Sequence, residues 1–375
     1  MRKPFRSHQL FFIVLLAIAP AVAQLPISAS TGTPLATGLN DPRGLAFGPD
    51  GALYIAEAGT GGTTSTVGTC IQGLPPIGPY KGGPSARVSK LSPNGTLSAL
   101  ATGLPSFVAM QGDIIGVADV AFLDGKLYAL IGGGGCSHGN PNLPNGIVKV
   151  NLSNGRWDYI TDLSLFYMEH PAAYPDAADF EPDGVPYSMI AHQGRLFAVE
   201  PNHGTITATT PDGETKEVFD FSLHFGHVVP TSIVANDGNL YIGNLGLFPI
   251  ASQWERVTTL TRDIGFHETL PGLGTRSNVF RVAGSRAGFT TVVSLKMGPD
   301  GLLYALELSD TPGGFPNPGD GKVVRFNADG SIQTVITGLS LPGGMAFGPE
   351  DALYISNAGD LGPGMGEILR FEIPR

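Results

Sequence analysis

The chain has 375 residues, 42% of them hydrophobic and 14% charged, against roughly 25% charged in an average soluble protein. That balance supplies apolar surface for a large core and excludes both intrinsic disorder and a coiled coil. A formal charge of −10 leaves no basic footprint for DNA, RNA or anionic lipid, and 53 glycines with 31 prolines argue against a mostly helical protein.

The first segment reads as an address. Arg2, Lys3 and Arg6 precede an apolar run from Leu10 to Ala19, and Ala21-Val22-Ala23 supplies small residues at a cleavage site. Residues 1–23 are therefore expected to be a signal peptide cut before Gln24. The run is short of the roughly 20 residues that span hydrocarbon, so no membrane span is expected. Removing it takes away three positive charges, giving −10 − 3 = −13 for the mature chain. A secreted or periplasmic protein follows, with residues 24–33 a short lead and 34–375 one domain. In an oxidising compartment Cys70 and Cys136 can form a disulfide. Two buried free thiols are the alternative, and a nucleophilic pair with His138 is disfavoured outside the cell.

Six copies of one phrase fill the remainder. A tight turn, one further residue, then Leu and an aromatic residue recur at Leu53-Tyr54, Leu127-Tyr128, Leu196-Phe197, Leu240-Tyr241, Leu303-Tyr304 and Leu353-Tyr354. Asp-Gly or a near equivalent between short apolar runs is a hairpin signal. A second hairpin follows in most copies, as at Asn94-Gly95, Asn154-Gly155, Asp212-Gly213 and Asp329-Gly330. The unit is a four-stranded meander that cannot bury both faces alone, at a spacing suited to propeller blades. The fold class read from this is all-β: a six-bladed β-propeller of four-stranded antiparallel blades. Ala36-Thr37-Gly38-Leu39 resembles Ile336-Thr337-Gly338-Leu339, so the N-terminal strand is expected to complete the last blade and close the ring.

Loop lengths then point to a working face. The Asp-Gly turns are uniformly short. The long segments 59–85, 132–145, 248–275 and 309–320, read as joining second to third strands, together with 111–117 and 162–185 before inner strands, all fall on the other face. Elaboration confined to one face of a repeat ring marks a binding surface.

Counting four residues beyond each repeat leucine gives Glu57, Ile131, Glu200, Asn244, Glu307 and Asn357. Counting back along the inner strands gives Gly44, Asp119, Ser188, Ser232, Ser294 and Gly344. Carboxylates and amides gathered near an axis suit a hard divalent cation such as Ca2+, so Glu57, Glu200, Asn244, Glu307 and Asn357 are the candidate metal ligands. A hydrated ring bonded to neighbouring backbone, and carboxyls that hold the blades in place, are the competing explanations. His203, in the short loop Glu200-Pro201-Asn202-His203-Gly204, is expected to stand unobstructed near the axis. With His138, His227 and Asn244 it makes the candidate ligand-binding set, and Glu200, Asp119 and His203 are the candidate catalytic bases. The acidic stretch Asp176, Asp179, Glu181 and Asp183 reads as a solvated loop.

The segments Gly135-Cys136-Ser137-His138-Gly139, Asp179-Phe180-Glu181-Pro182-Asp183-Gly184, Val199-Glu200-Pro201-Asn202-His203-Gly204, Gly226-His227-Val228-Val229-Pro230-Thr231 and Tyr241-Ile242-Gly243-Asn244-Leu245-Gly246 resemble the ScyD/ScyE family of exported proteins. That family is linked to scytonemin biosynthesis and extends to bacteria that make no such pigment. More distantly the blades resemble NHL repeats and lactonase-like propellers, which hold a divalent metal on the axis. Asp41-Pro42-Arg43-Gly44 stands where those lactonases usually carry Glu-Gly-Pro. Two function classes follow: a monomeric module binding a small molecule, peptide or glycan over the channel, and a metal-dependent hydrolase or lactonase at the same mouth.

Overall fold

A computed structural model describes residues 25–251, 255–263, 267–270, 274–277, 279–311 and 313–373; the signal-peptide segment 1–23 lies outside them. Six four-stranded antiparallel sheets follow one another along the chain. Blade one runs Pro42–Phe47, Leu53–Glu57, Lys81–Leu91 and Leu97–Val108, and blade two Val117–Leu123, Lys126–Ile131, Gly146–Val150 and Trp157–Asp162. Blade three is Ser188–His192, Arg195–Glu200, Thr205–Thr209 and Thr215–Asp220, and blade four Pro230–Asn236, Asn239–Asn244, Arg256–Arg262 and Phe280–Ala287. Blade five is Val292–Met297, Leu303–Glu307, Pro318–Phe326 and Ile332–Ser340. Blade six takes Gly344–Phe347, Leu353–Asn357 and Pro363–Phe371 from the C-terminus and Thr33–Asn40 from the N-terminus.

That last pairing closes the ring as expected, with Ala36 opposite Ile368 and Thr37 opposite Glu367. The lead contributes more than its length suggested. Ile27–Ser28 pairs in parallel with Ile336 and Thr337 at the edge of blade five.

The repeated Leu-aromatic phrase explains the core. Along the second strand of blade one, Leu53 and Ile55 pack with Ala346 and Ile368 of blade six. Tyr54 and Ala56 face the other way, onto Val120, Leu127 and Ala129 of blade two. Alternate side chains of one strand thus fill two different inter-blade cores, so the strand is apolar throughout. The turns beneath it are of two kinds. Asp124-Gly125, Gln193-Gly194 and Asp237-Gly238 have positive φ at both residues, the two-residue turn that matches strand twist.

One insertion lies on the face that loop lengths seemed to leave bare. In blade four the third strand begins at Arg256, and a hairpin of His267–Leu270 with Gly274–Ser277 sits between it and the outer strand Phe280–Ala287. The segment 248–275 is therefore a loop, a strand and part of a hairpin. Arg256–Arg262, Arg-Val-Thr-Thr-Leu-Thr-Arg, breaks strict alternation and carries no Asn-Gly turn after it, which hid it as a strand. Among the described residues no helix is long and apolar enough to cross a membrane.

Candidate functional site

Each predicted ring residue ends the second strand of its blade, and each except Ile131 points an oxygen at backbone of that blade or of the segment leading into it. Glu57 accepts from the Asn40 N–H at 2.8 Å, from Arg87 at 2.8 and 2.7 Å, and from the Ser89 hydroxyl. Glu307 accepts from the Thr290 N–H at 3.1 Å and its hydroxyl at 2.8 Å, with Lys322 at 3.2 Å. Asn357 accepts from the Ser340 N–H at 2.8 Å and donates to Glu367. Glu200 takes the N–H groups of Val185, Asn202 and His203, and Asn244 that of Arg256.

The reason lies one residue further on. After Asn40, Thr290 and Ser340 come Asp41, Thr291 and Leu341, with φ of 48°, 41° and 42°. A left-handed corner at a non-glycine residue costs about 1–2 kcal/mol, and a buried side-chain acceptor secures the N–H just before it. Glu57, Glu307 and Asn357 are thus corner caps that turn the chain into an inner strand, while Glu200 holds Val185 ahead of blade three and Asn244 the start of a third strand.

Five of the six inner-strand residues line a common cavity, while Ser232 bonds back to the Gly243 carbonyl at 3.4 Å. Gly44, Asp119, Ser188, Ser294 and Gly344 surround that cavity with Lys296, with room for about one water molecule. Gly44 is required there, because a Cβ would lie 1.9 Å from Asp119 Oδ1. Asp119 is itself fully engaged, accepting from the N–H groups of Val120 and Met189 at 2.8 Å and from the Ser188 hydroxyl at 3.2 Å. Burial raises its carboxyl above the usual range while Lys296 and these donors pull it back.

At the mouth, Arg43 reaches from blade one to the Ile114 carbonyl at 3.0 Å and to Asp360 at 3.4 Å. Asp41 is buried beside it with Oδ2 unpartnered. Burial pushes Asp41 up to about 6; Arg43 works against this, while Asp360 and Glu57 add to it. At the same corner the other blades carry Val229, Thr291 and Leu341, so folding does not call for an acid there.

The structure's main departure from the sequence reading is the segment Asp179–Gly184. Expected to be a solvated loop, it is a strap bonded to the insertions of four blades. Glu181 is buried; its carboxylate accepts the Tyr80 phenol from blade one and lies 3.4 Å from His138 Nε2 of blade two. Asp183 accepts from the Ser137 N–H at 2.8 Å and hydroxyl at 2.6 Å. The Glu181 carbonyl is 2.9 Å from His203 Nε2 of blade three, and Asp179 is 2.7 Å from His227 Nε2, leading into blade four. His203 is therefore not open to the channel: it is buried, with Phe180 stacked on it at 5.2 Å.

His138, His203 and His227 are thus gathered around one strap, with Glu200 beneath it, while Glu57, Asn244, Glu307 and Asn357 serve their own blades. Tyr80 and the strap acids were missed as site residues. The available signal was that Tyr80 and His138 sit in insertions, and His203 and His227 in shorter loops, of one face. Cys70 and Cys136 are joined by a disulfide with Cα atoms 5.9 Å apart, tying the first two insertions beside the strap. Among the described residues, no three His, Cys, Asp or Glu side chains are grouped as a metal would need.

No protein-family model matches the chain, and no curated sequence matches it. Solved structures do resemble it. A gluconolactonase from Xanthomonas campestris is 12% identical over 91% of this chain and 89% of its own, with a TM-score of 0.53. Regucalcin from Agrobacterium tumefaciens, described as calcium-binding, is 13% identical over 93% and 96%, also at 0.53. A quinone-bound aldose sugar dehydrogenase from Streptomyces coelicolor is 16% identical over 91% and 97%, at 0.52. The likeness is one of fold. It places the chain among six-bladed propellers, a scaffold that hosts unrelated chemistries.

Proposed function

We propose that the chain is an exported propeller of the ScyD/ScyE type that binds a small molecule, peptide or glycan at its looped mouth. The observation that carries this reading is the strap, which draws Tyr80, His138, His203 and His227 from four blades under one roof. Buried histidine–carboxylate and tyrosine–carboxylate contacts fix such a roof in place more tightly than loop packing requires. Titration calorimetry of the mature protein against glycan, peptide and small-molecule panels tests it. A ligand whose affinity falls at least tenfold in Asp179→Asn supports the reading, and binding indifferent to every strap substitution defeats it.

A metal-dependent hydrolase or lactonase is the second reading. Of its three candidate bases, Glu200 and Asp119 spend their oxygens on backbone donors, whereas His203 keeps Nδ1 unpartnered. Ca2+ is the cation that the ring's carboxylate and amide oxygens suggest, and a neighbour in fold is described as calcium-binding. The ring residues fit it poorly, since Glu57, Glu200, Asn244, Glu307 and Asn357 would each have to surrender a present donor, and no step is drawn through it. An unchanged melting temperature on calcium addition and chelation removes the cation, and a lactone and ester panel without turnover removes the enzyme.

A further inference from the structure

Eight buried side-chain polar atoms make no hydrogen bond of good geometry among the described residues, and four of them belong to one place. They are His203 Nδ1, Tyr167 Oη, Thr205 Oγ1 and Thr207 Oγ1, all on side chains that are at least nine-tenths buried.

Strand register brings them together. Thr205 and Thr207 lie on one face of the third strand of blade three, opposite Glu200 and Ala198 of the second strand. Ala198 and Leu196 pack with Leu163 and Tyr167 in the core between blades two and three, so the two hydroxyls look toward the same seam. The Tyr167 ring lies 5.4 Å from the His203 ring, at 82° to it. Burial and the Glu200 carboxylate hold the phenol well above its usual range, and Thr207 partly offsets them, which puts that hydroxyl next to the phenol.

The chemistry of the four is complementary. A backbone carbonyl only accepts, so His203 Nε2, 2.9 Å from the Glu181 oxygen, carries the ring proton of the neutral imidazole. In the neutral ring Nδ1 then keeps a lone pair, in the same seam as three hydroxyls able to donate. Hydroxyls two residues apart on a strand are separated by roughly 7 Å, too far to meet directly and beyond the ~5.6 Å that one bridging water spans, so linking them takes the phenol or more than one water. Tyr167 and Thr207 can meet each other, but leaving His203 Nδ1 and the Thr205 hydroxyl dry would be costly. The polar row also continues outward: Thr209 and Thr215 hydroxyls are 3.0 Å apart, and Thr215 and Thr161 hydroxyls 2.9 Å apart at the half-buried rim.

We propose that the seam between blades two and three encloses bound water, held by His203 Nδ1 as acceptor and by Tyr167, Thr205 and Thr207, with the strap as its lid. This holds whether or not the mouth binds a ligand.

A crystal structure of the mature protein near 1.5 Å resolution decides it. A solvent peak within hydrogen-bond distance of Nδ1 and at least one of the hydroxyls is expected; empty density there overturns the proposal. Thr205→Val, at the hydroxyl that the phenol does not already meet, adds a sign test that needs no crystal. In a dry seam, swapping an unmatched hydroxyl for a methyl raises the melting temperature, whereas in a hydrated seam it strands a water and lowers it. Nitrogen-15 spectra of His203 should show a protonated Nε2 and a bare Nδ1, and the opposite tautomer also overturns the assignment.

Discussion

The carboxylate of Asp179 lies 2.7 Å from Nε2 of His227, 48 residues further along the chain. Burial works against the imidazolium, but Asp179, with Asp176 and Glu200 behind it, outweighs that and raises the His227 pKa above its usual value. A histidine raised in the folded state contributes stability that is complete below the unfolded pKa and lost as pH rises through the folded one. The strap should therefore loosen as the medium moves from mildly acidic to mildly alkaline. Limited proteolysis within residues 171–185 should quicken between about pH 6 and pH 8.5. In Asp179→Asn it should be fast at every pH, and a wild-type rate independent of pH would dismiss the latch.

Arg43 is the cation that holds the mouth carboxylates together. Burial disfavours its charge, and Tyr187, Asp360 and Asp41 more than restore it. Arg43→Met should cost about 3–5 kcal/mol, the usual consequence of leaving buried charge uncompensated. Adding Asp41→Asn to Arg43→Met should recover part of that loss, because it removes the buried acid left behind. Urea unfolding of the two single variants and the double variant measures the coupling, and strict additivity would show that the two side chains do not interact.

Much of this architecture was legible because it is local and repeated. Asp124-Gly125 or Asp237-Gly238 needs only its own φ angles to form a turn, and Leu53-Tyr54 records in two letters that a strand feeds two cores. The ring positions were legible too, since Glu57, Glu200, Asn244, Glu307 and Asn357 all end second strands. The direction of their side chains was not, because the N–H that Glu57 captures belongs to Asn40, 17 residues earlier, at a corner whose left-handed residue is Asp, Thr or Leu rather than a telltale glycine. The strap was the least legible. Asp179, Glu181 and Asp183 sit among prolines and glycines like any wet loop, and what buries them comes from afar, Tyr80 from 101 residues away and His138 from 43.

Glu255 makes a separate demand on the fold. It is fully buried, and neither oxygen makes a hydrogen bond of good geometry. Burial pushes it up to about 7, the Thr291 N–H tempers this slightly, and Glu307 adds to it. A carboxyl raised in the folded state binds its proton there first, so stability falls as pH climbs from the unfolded value toward 7 and is flat above. The full span is on the order of 3 kcal/mol. Glu255→Gln should flatten melting temperature against pH between about 4.5 and 7 and leave the variant more stable than wild type at pH 8. Parallel curves for the two proteins would mean that Glu255 ionises unhindered.

The disulfide between Cys70 and Cys136 closes 66 residues of chain, and closing a loop of that length removes unfolded-state entropy equivalent to about 4 kcal/mol in the chain-entropy account. Its position gives it a second effect. Cys136 precedes Ser137 and His138, the two residues that hold Asp183 and Glu181 of the strap, and its carbonyl accepts from Thr66 at 2.6 Å. Replacing both cysteines by serine should lower stability by about 2–4 kcal/mol in guanidinium unfolding. It should also speed cleavage within residues 171–185 under conditions where the rest of the propeller remains folded. A loss of global stability with unchanged strap cleavage would confine the bridge to the unfolded chain, and unchanged values of both would mean that the thiols are not linked in solution.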